Sequence, residues 1–245
     1  MNDVHVTPHP LIAMLRPGLV RLRHAEPHAE AAGMATNAYA VLAPGRALLV
    51  DAGFLDLMPA IAAFAADGFA PSALVFTHRH VVAQSDAIDA LATAYQVPFL
   101  LLPRESAHPQ AQQSGLQFDD PAGHEALTAV GMEALPFPGH TAGHLVLYGT
   151  SGGGVLLAGD CAMGALRAEA AAGMASLVRP PEGLTVDDRE LRQQWVAFDR
   201  PVATICPFHG EPLVDDVDAV FHALESLRTA TPTRTLGVGG AFSRI

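Results

Sequence analysis

The chain has 245 residues, of which 50% are hydrophobic and 16% are charged, and its net charge is −11 with histidine neutral. This composition is typical of a globular protein and excludes an intrinsically disordered chain. The acidic balance argues against nucleic acid and against an anionic membrane surface as the main partner.

Cysteine usage and the N-terminal sequence indicate the compartment. Two cysteines, Cys161 and Cys206, do not support a disulfide framework and suit a reducing cytoplasm. The stretch MNDVHVTPHPLIAMLRPG carries charge, histidine and proline where a signal peptide needs an apolar core. No apolar run is long enough to span a bilayer. Arginine carries every positive side chain, a bias that we attribute to a bacterial source, so we expect a cytoplasmic bacterial protein that does not bind membranes.

The first half of the chain alternates apolar runs with turn signals. Residues 36–53 predict two strands joined at Pro44-Gly45, and apolar residues at helical spacing predict a helix over 55–68. A short buried strand over 73–77 ends at a pair of histidines. Three further segments follow: a helix over 85–96 with Ser85 as its N-cap, a strand over 98–103, and an irregular polar segment over 104–130.

The second half repeats the alternation. The predicted strands cover 132–137, 144–149, 154–160 and 202–210, the predicted helices cover 187–198 and 214–228, and a polar tail follows. Alternating strands and helices with hairpins among them predict an α/β fold with mixed sheets. We expect one domain over residues 1–245.

Strand after strand ends in a residue that can bind a metal. These residues are His78, His80, His140, Asp160 and His209. In α/β sheets, binding groups gather in the loops at one edge, because the strands hold those loops rigidly. The five side chains are therefore expected to converge.

The ordered set TNAY…LLVDAG…THRH…PGHTAGH…LLAGD…PFHG resembles the metallo-β-lactamase superfamily, in its glyoxalase-II-like branch. The resemblance is strongest over residues 36–212. It implies an αββα sandwich of two mixed β-sheets flanked by helices, with a metal site at one edge.

The resemblance also implies a role for each residue. The three histidines of the first metal position correspond to His78, His80 and His140. Asp160 corresponds to the carboxylate that bridges two metals, and His209 to the histidine of the second position. Asp51 corresponds to an aspartate that orders the site without binding the metal. Independently of the resemblance, His144 is expected to orient a ligand as a hydrogen-bond donor, with an ordinary residue at the start of a strand as the alternative.

One departure from the family is informative. The family loop is His-x-His-x-Asp-His, and its last two positions are Val82 and Ala83 here. The second metal position keeps only His209 and a share of Asp160, which is too few for a zinc ion that takes about four donors. The sequence therefore predicts a mononuclear site. The nearby Gln84 and Asp86 are weak substitutes, and Asp86 is also favoured by the dipole of the predicted helix.

The intact first position predicts the chemistry. Three neutral imidazoles with water or Asp160 make a tetrahedral zinc site with one open position, and zinc lowers the pKa of a bound water to roughly 7. We expect one zinc ion, with iron as the alternative. The predicted function is a metal-dependent hydrolase acting on a small activated ester or thioester, with Asp160 as the catalytic carboxylate.

Two other functions stay open. The first is a mononuclear iron dioxygenase acting on a thiol or persulfide through His78, His140 and Asp160, although the dioxygenases of this superfamily keep the Asp-His pair. The second is a catalytically inactive member that binds a metal or ligand, which the replacements at Val82 and Ala83 favour. The sequence does not define the substrate or the oligomeric state.

Three residues near the ligands are expected to be inert toward the chemistry. Cys161 and Cys206 are predicted to be small buried thiols. Arg79, between two histidines, is predicted to point away from them, to solvent or to a salt bridge.

Overall fold

The computed structural model describes residues 6–174 and 176–230, which form two compact units. One unit contains the described residues up to Ala25 together with Asn37–Glu133, and the other contains Glu26–Thr36 and the described residues from Ala134 onward. Among the helices of this described part, none is both long enough and apolar enough to cross a bilayer. The single domain over 1–245 stays a prediction, and most of the predicted polar tail lies outside the described residues.

The first unit is built on a six-stranded sheet with the order β1-β2-β3-β4-β5-β6. The strands are β1 (Ile12–Arg16), β2 (Leu19–His24), β3 (Thr36–Ala43), β4 (Arg46–Val50), β5 (Ala70–Val75) and β6 (Phe99–Leu100). The β1–β2 and β3–β4 pairs are antiparallel, whereas β4, β5 and β6 are parallel. The predicted turn joins β3 to β4, and Gly45 has the left-handed φ of +77° there.

Helices of this unit correct two predictions. They are α2 (Met58–Ala66), preceded by a 3-10 turn at Leu55–Leu57, and α3 (Arg79–Gln84), α4 (Ile88–Tyr95), α5 (Pro103–Ser106), α6 (Pro109–Gln112) and α7 (Glu125–Thr128). Ser85 is not the N-cap of a helix over 85–96. It ends α3, and its hydroxyl donates to the carbonyl of Val81 at 2.8 Å. The segment 104–130, predicted to be irregular, contains most of three short helices.

The second unit contains a five-stranded sheet with the order β13-β12-β9-β8-β7. The strands are β7 (Met132–Pro136), β8 (Leu145–Gly149), β9 (Val155–Gly159), β12 (Thr204–Pro207) and β13 (Leu213–Val214). The β9–β12 pair is parallel, whereas β8–β9 and β12–β13 are antiparallel. The remaining elements are α1 (Pro27–Ala31), β10 (Met163–Gly164), α8 (Arg167–Ala171), β11 (Leu177–Val178), α9 (Asp188–Ala197) and α10 (Val217–Thr229).

The core of the second unit forms between this sheet and α9 and α10. Leu191 and Trp195 of α9 and Leu227 of α10 are fully buried in one apolar cluster with sheet residues such as Val146 and Ile205. The chain is therefore an α/β protein of mixed sheets flanked by helices, as predicted.

Candidate metal centre

Three histidines lie together. Each of His78, His80 and His140 offers a ring nitrogen, and these nitrogens lie within 4.8 Å of one another. Two nitrogens bound to one zinc ion are at most about 4.2 Å apart, because each Zn–N bond is about 2.0–2.1 Å long. The upper limit of 4.8 Å for the three histidines lies slightly above this value. The donor set and its spacing therefore fit a divalent metal that prefers imidazole.

His78 is oriented by a chain of hydrogen bonds that starts at Asp51. The Asp51 carboxylate accepts the main-chain N–H and the hydroxyl proton of Thr77, both at 2.8 Å. Because that proton points to Asp51, the Thr77 oxygen accepts from Nδ1 of His78 at 3.0 Å. The lone pair of His78 then lies on Nε2. Asp51 is thus linked to His78 through Thr77. This contact is consistent with the role predicted for Asp51, which is to order the site without binding the metal, and that role stays a prediction.

His80 is held neutral. Burial lowers the pKa of His80 to about 4, and the positive charge of Arg79 acts in the same direction. Glu105 raises the pKa but does not prevail. A neutral imidazole is the form that binds a metal. Arg79 itself forms a salt bridge with Glu105 at 3.0 Å, which is one of the two places predicted for it.

His140 directly follows Gly139, a position that has no room for a larger residue. Gly139 has a φ of +136°, and a Cβ there would collide with Leu191. The carbonyl of Gly139 accepts from the N–H of Asp187 at 2.9 Å, and that of His140 accepts from the N–H of Val186 at 3.1 Å. The segment before α9 therefore fixes the main chain at His140.

Asp160 lies beside two histidines. Its Oδ2 atom is 3.8 Å from Nε2 of His140 and 3.9 Å from Nε2 of His209. Within the described residues, the group of three histidines includes neither Asp160 nor His209. Burial raises the pKa of Asp160, and His209 opposes that shift. A cation bound nearby would also oppose it.

His209 is fixed from two sides. It pairs with Thr36 in an antiparallel bridge, and the Thr36 hydroxyl is 3.4 Å from Nδ1 of His209. On the other side, the N–H of Gly164 donates to the His209 carbonyl at 2.8 Å. A Cβ at Gly210 would collide with the main chain of Gly164. The loop after Asp160 and the loop at His209 are therefore in backbone contact.

His144 contacts the main chain of Asp160. The N–H of Asp160 donates to Nε2 of His144 at 3.2 Å, so the ring proton lies on Nδ1, which is 3.0 Å from Sγ of Cys161. The thiol in turn donates to the carbonyl of Phe137 at 3.4 Å. Burial, and then the charge of Asp160, raise the pKa of Cys161 well above its usual value. This matches the expected inert thiol.

Val82 and Ala83, at the positions expected to hold an aspartate and a histidine, have no side-chain atoms that can bind a metal. Val82 is buried, Ala83 is exposed, and with Asp86 they line a cleft of about 230 Å³. The Asp86 carboxylate accepts from the N–H of Leu55 at 2.7 Å, so it is committed to the 3-10 turn before α2. The carboxylate of Asp86 is therefore used in a structural contact, which argues against Asp86 as a substitute for the aspartate that Val82 replaces.

Sequence reasoning missed three residues that contact either a candidate ligand or Arg79, the residue between two of them. Thr77 directly precedes His78, so a hydroxyl adjacent to a candidate ligand was an available signal. Glu105 lies 26 residues from Arg79, and Thr36 lies 173 residues from His209. No local pattern marks either of these two as a partner.

A comparison of the sequence with protein-family models and with curated proteins found no match. Solved structures do match. The DIM-1 metallo-β-lactamase has a TM-score of 0.63 and 16% identity, with 90% of this chain and 97% of that chain covered. A metallo-β-lactamase from Erythrobacter litoralis has a TM-score of 0.59 and 17% identity, with 91% and 99% covered. A metallo-β-lactamase family protein from Thermus thermophilus has a TM-score of 0.57 and 18% identity, with 87% and 79% covered.

These likenesses establish the fold. The chain has the metallo-β-lactamase fold, with mixed sheets and flanking helices, as its motifs predicted. At such low identity they say nothing about the substrate.

Proposed function

We propose that the protein is a metal-dependent hydrolase of the metallo-β-lactamase superfamily with one zinc ion at His78, His80 and His140. The observation that carries the proposal is this group of three histidines in a chain with the metallo-β-lactamase fold. A bound zinc ion would supply hydroxide near neutral pH, because it lowers the pKa of a coordinated water to roughly 7. The hydrogen bond from His78 to Thr77 and the low pKa of His80 support ligation by neutral imidazoles.

We assign the catalytic role to Asp160. Its carboxylate lies beside His140 and His209, where it can orient a water molecule and receive a proton. Val82, in place of the family aspartate, can do neither. A site with one carboxylate base is suited to substrates with good leaving groups. We therefore propose a small activated ester or thioester as the substrate.

The proposed setting follows from composition. A net charge of −11 disfavours nucleic acid and anionic membranes as partners, which leaves a small molecule as the proposed substrate. Cys161 and Cys206 are buried, in keeping with a reducing cytoplasm. Cell fractionation tests the compartment.

Metal content is the first test. Elemental analysis of protein purified without added metal is expected to give about one equivalent of zinc, which a His140→Ala variant loses. Iron with substrate-dependent oxygen consumption would favour the thiol or persulfide dioxygenase instead. No metal, even after incubation with zinc and iron, would contradict the proposal and favour a non-catalytic protein.

The single-metal character is tested by restoring the family loop. A Val82→Asp/Ala83→His variant is expected to bind two equivalents of zinc where the wild type binds one. The matched control is Val82→Asn/Ala83→His, which lacks the second carboxylate and is expected to stay near one. Two equivalents in the wild type would contradict a mononuclear site.

Hydrolysis is tested directly. Zinc-loaded protein is screened against small thioesters, lactones and aryl esters, with His140→Ala protein as the control. Turnover by the wild type is expected to exceed that of the control. Equal turnover would rule out the hydrolase.

A further inference from the structure

A buried ion pair lies next to two candidate ligands. Arg79, which stands between His78 and His80, places Nη1 at 3.0 and 3.1 Å from the two carboxylate oxygens of Glu105. Arg79 is 8% exposed and Glu105 is 0% exposed. Such a pair adds little net stability, because the cost of removing both charges from water offsets their attraction. Its burial here therefore suggests a function other than stability.

Glu105 also binds the main chain between the two histidines. Its Oε2 atom accepts the N–H of Arg79 at 3.0 Å. This N–H opens α3, and the first N–H groups of a helix have no acceptor within the helix. The side chain of His78, the residue before α3, is engaged with Thr77. The carboxylate of Glu105 therefore takes the place of a helix cap.

We propose that Glu105 is a positioning residue for the metal, which acts through Arg79 to fix the directions of His78 and His80. The anchored N–H belongs to the peptide that joins His78 to Arg79, and His80 follows directly. A rotation of this peptide would move both imidazoles. The inference rests on the proposed metal site.

This anchor has particular value in this chain. In the family loop, an aspartate and a third histidine also bind metal and so hold the segment in place. Val82 and Ala83 cannot do so here. Contacts outside the loop must therefore keep the two remaining histidines in position, and Glu105 provides three hydrogen bonds to Arg79.

Two double variants separate positioning from the ion pair itself. Arg79→Met/Glu105→Gln keeps a side-chain oxygen that can accept the N–H of residue 79. Arg79→Met/Glu105→Leu removes that acceptor, and both variants remove the charges together, which buried pairs commonly tolerate. The leucine variant is expected to bind zinc and cobalt about 10-fold to 100-fold more weakly, the usual effect of losing an orienting partner. The glutamine variant is expected to stay close to the wild type.

Affinity is measured by competition with a chromogenic chelator, and the visible absorption of bound cobalt reports the ligand geometry. Urea unfolding of the metal-free proteins shows whether both variants are folded, and exposed Glu125→Gln in α7 is the control.

If the leucine variant does not fold, the single change Glu105→Asp, which shortens the anchor, is expected to weaken cobalt binding and alter its spectrum. Affinities and spectra equal to wild type would overturn this inference alone. Failure of the wild type to bind either metal would overturn the metal site and this inference with it.

Discussion

Individual hydrogen bonds set the state of the imidazoles in this protein. The chain from Asp51 through Thr77 leaves the lone pair of His78 on Nε2. A second chain runs from the N–H of Asp160 through His144 to Cys161 and leaves the proton of His144 on Nδ1. Neighbouring residues therefore set the tautomers of the candidate ligand His78 and of His144, which contacts the main chain of Asp160.

Thr77→Val is expected to weaken zinc binding about 10-fold to 100-fold, because valine cannot accept the Nδ1 proton of His78. The free energy of unfolding of the metal-free protein is expected to fall by about 1–3 kcal/mol, since the buried Asp51 carboxylate loses one of its donors. Chelator competition and urea unfolding measure the two effects. Thr77→Ser keeps the hydroxyl and is expected to restore both values. Wild-type zinc affinity in the valine variant would show that the hydrogen bond from His78 to Thr77 does not contribute to metal binding.

The low pKa of His80 predicts acid sensitivity of the metal-free protein. The pKa of His80 is about 4 in the fold against 6.5 ordinarily, so the unfolded chain binds the extra proton between these values. The stabilising contribution is complete above pH 6.5 and is lost as the pH falls toward 4. His80 accounts for at most about one proton taken up on unfolding in this pH range. In the His80→Gln variant, the free energy of unfolding is therefore expected to depend less steeply on pH than in the wild type. Urea unfolding with chelator at several pH values measures this dependence. Exposed His222→Gln should leave the curve unchanged, and parallel curves for His80→Gln and wild type would contradict the shift.

How much of the site could be predicted depends on whether its signals are local. His78, Asp160 and His209 each follow an apolar strand closely, and that pattern is visible in the sequence. Glu105 was not recognised, because its partner is 26 residues away and only the folded chain brings them together. Tautomers also depend on the direction of each proton, which no sequence pattern encodes.

At the scale of elements, backbone contact couples two loops of the second unit. Gly164 and Gly210 approach so closely that neither has room for a Cβ atom. The N–H of Gly210 also donates to the carbonyl of Ala35 at 2.8 Å. His209 is therefore held by neighbours on both sides rather than by its own loop.

Gly210→Ala is expected to lower the free energy of unfolding by about 1–3 kcal/mol or more, because the added carbon collides with Gly164 and the φ of +89° is unfavourable for alanine. The control is Gly183→Ala, where a Cβ meets nothing within 4 Å. Chemical denaturation of both variants gives the difference. A Gly210→Ala protein as stable as the control would show that the two loops can separate at little cost.

The length and the apolar pattern of an element decide whether it could be predicted. Buried strands such as β8 and β9 are continuous apolar runs bounded by turns, and they were recognised. Helix α3 was missed, because six residues with adjacent Val81 and Val82 have weak helix propensity and too few turns to show a period. The four-residue helices after β6 are shorter still, and tertiary contacts rather than local pattern support them.

At the scale of the whole molecule, metal binding and folding are linked. The three histidines are spread from residue 78 to residue 140, so an unfolded chain cannot present them at the spacing seen here. A metal that binds the folded form alone stabilises it by mass action. The effect on stability therefore reports on the assembled site without any knowledge of the substrate.

Zinc is expected to raise the thermal stability of the wild-type chain. At a free concentration of about 100 times Kd, binding to the folded form adds about 2.7 kcal/mol, which corresponds to roughly 5–11 °C in Tm for a chain of this size. Calorimetry or fluorescence with defined free zinc measures the shift, and excess chelator should reverse it. His140→Ala is expected to show little or no shift. The same rise in that variant would mean that zinc stabilises the protein from somewhere other than the three histidines.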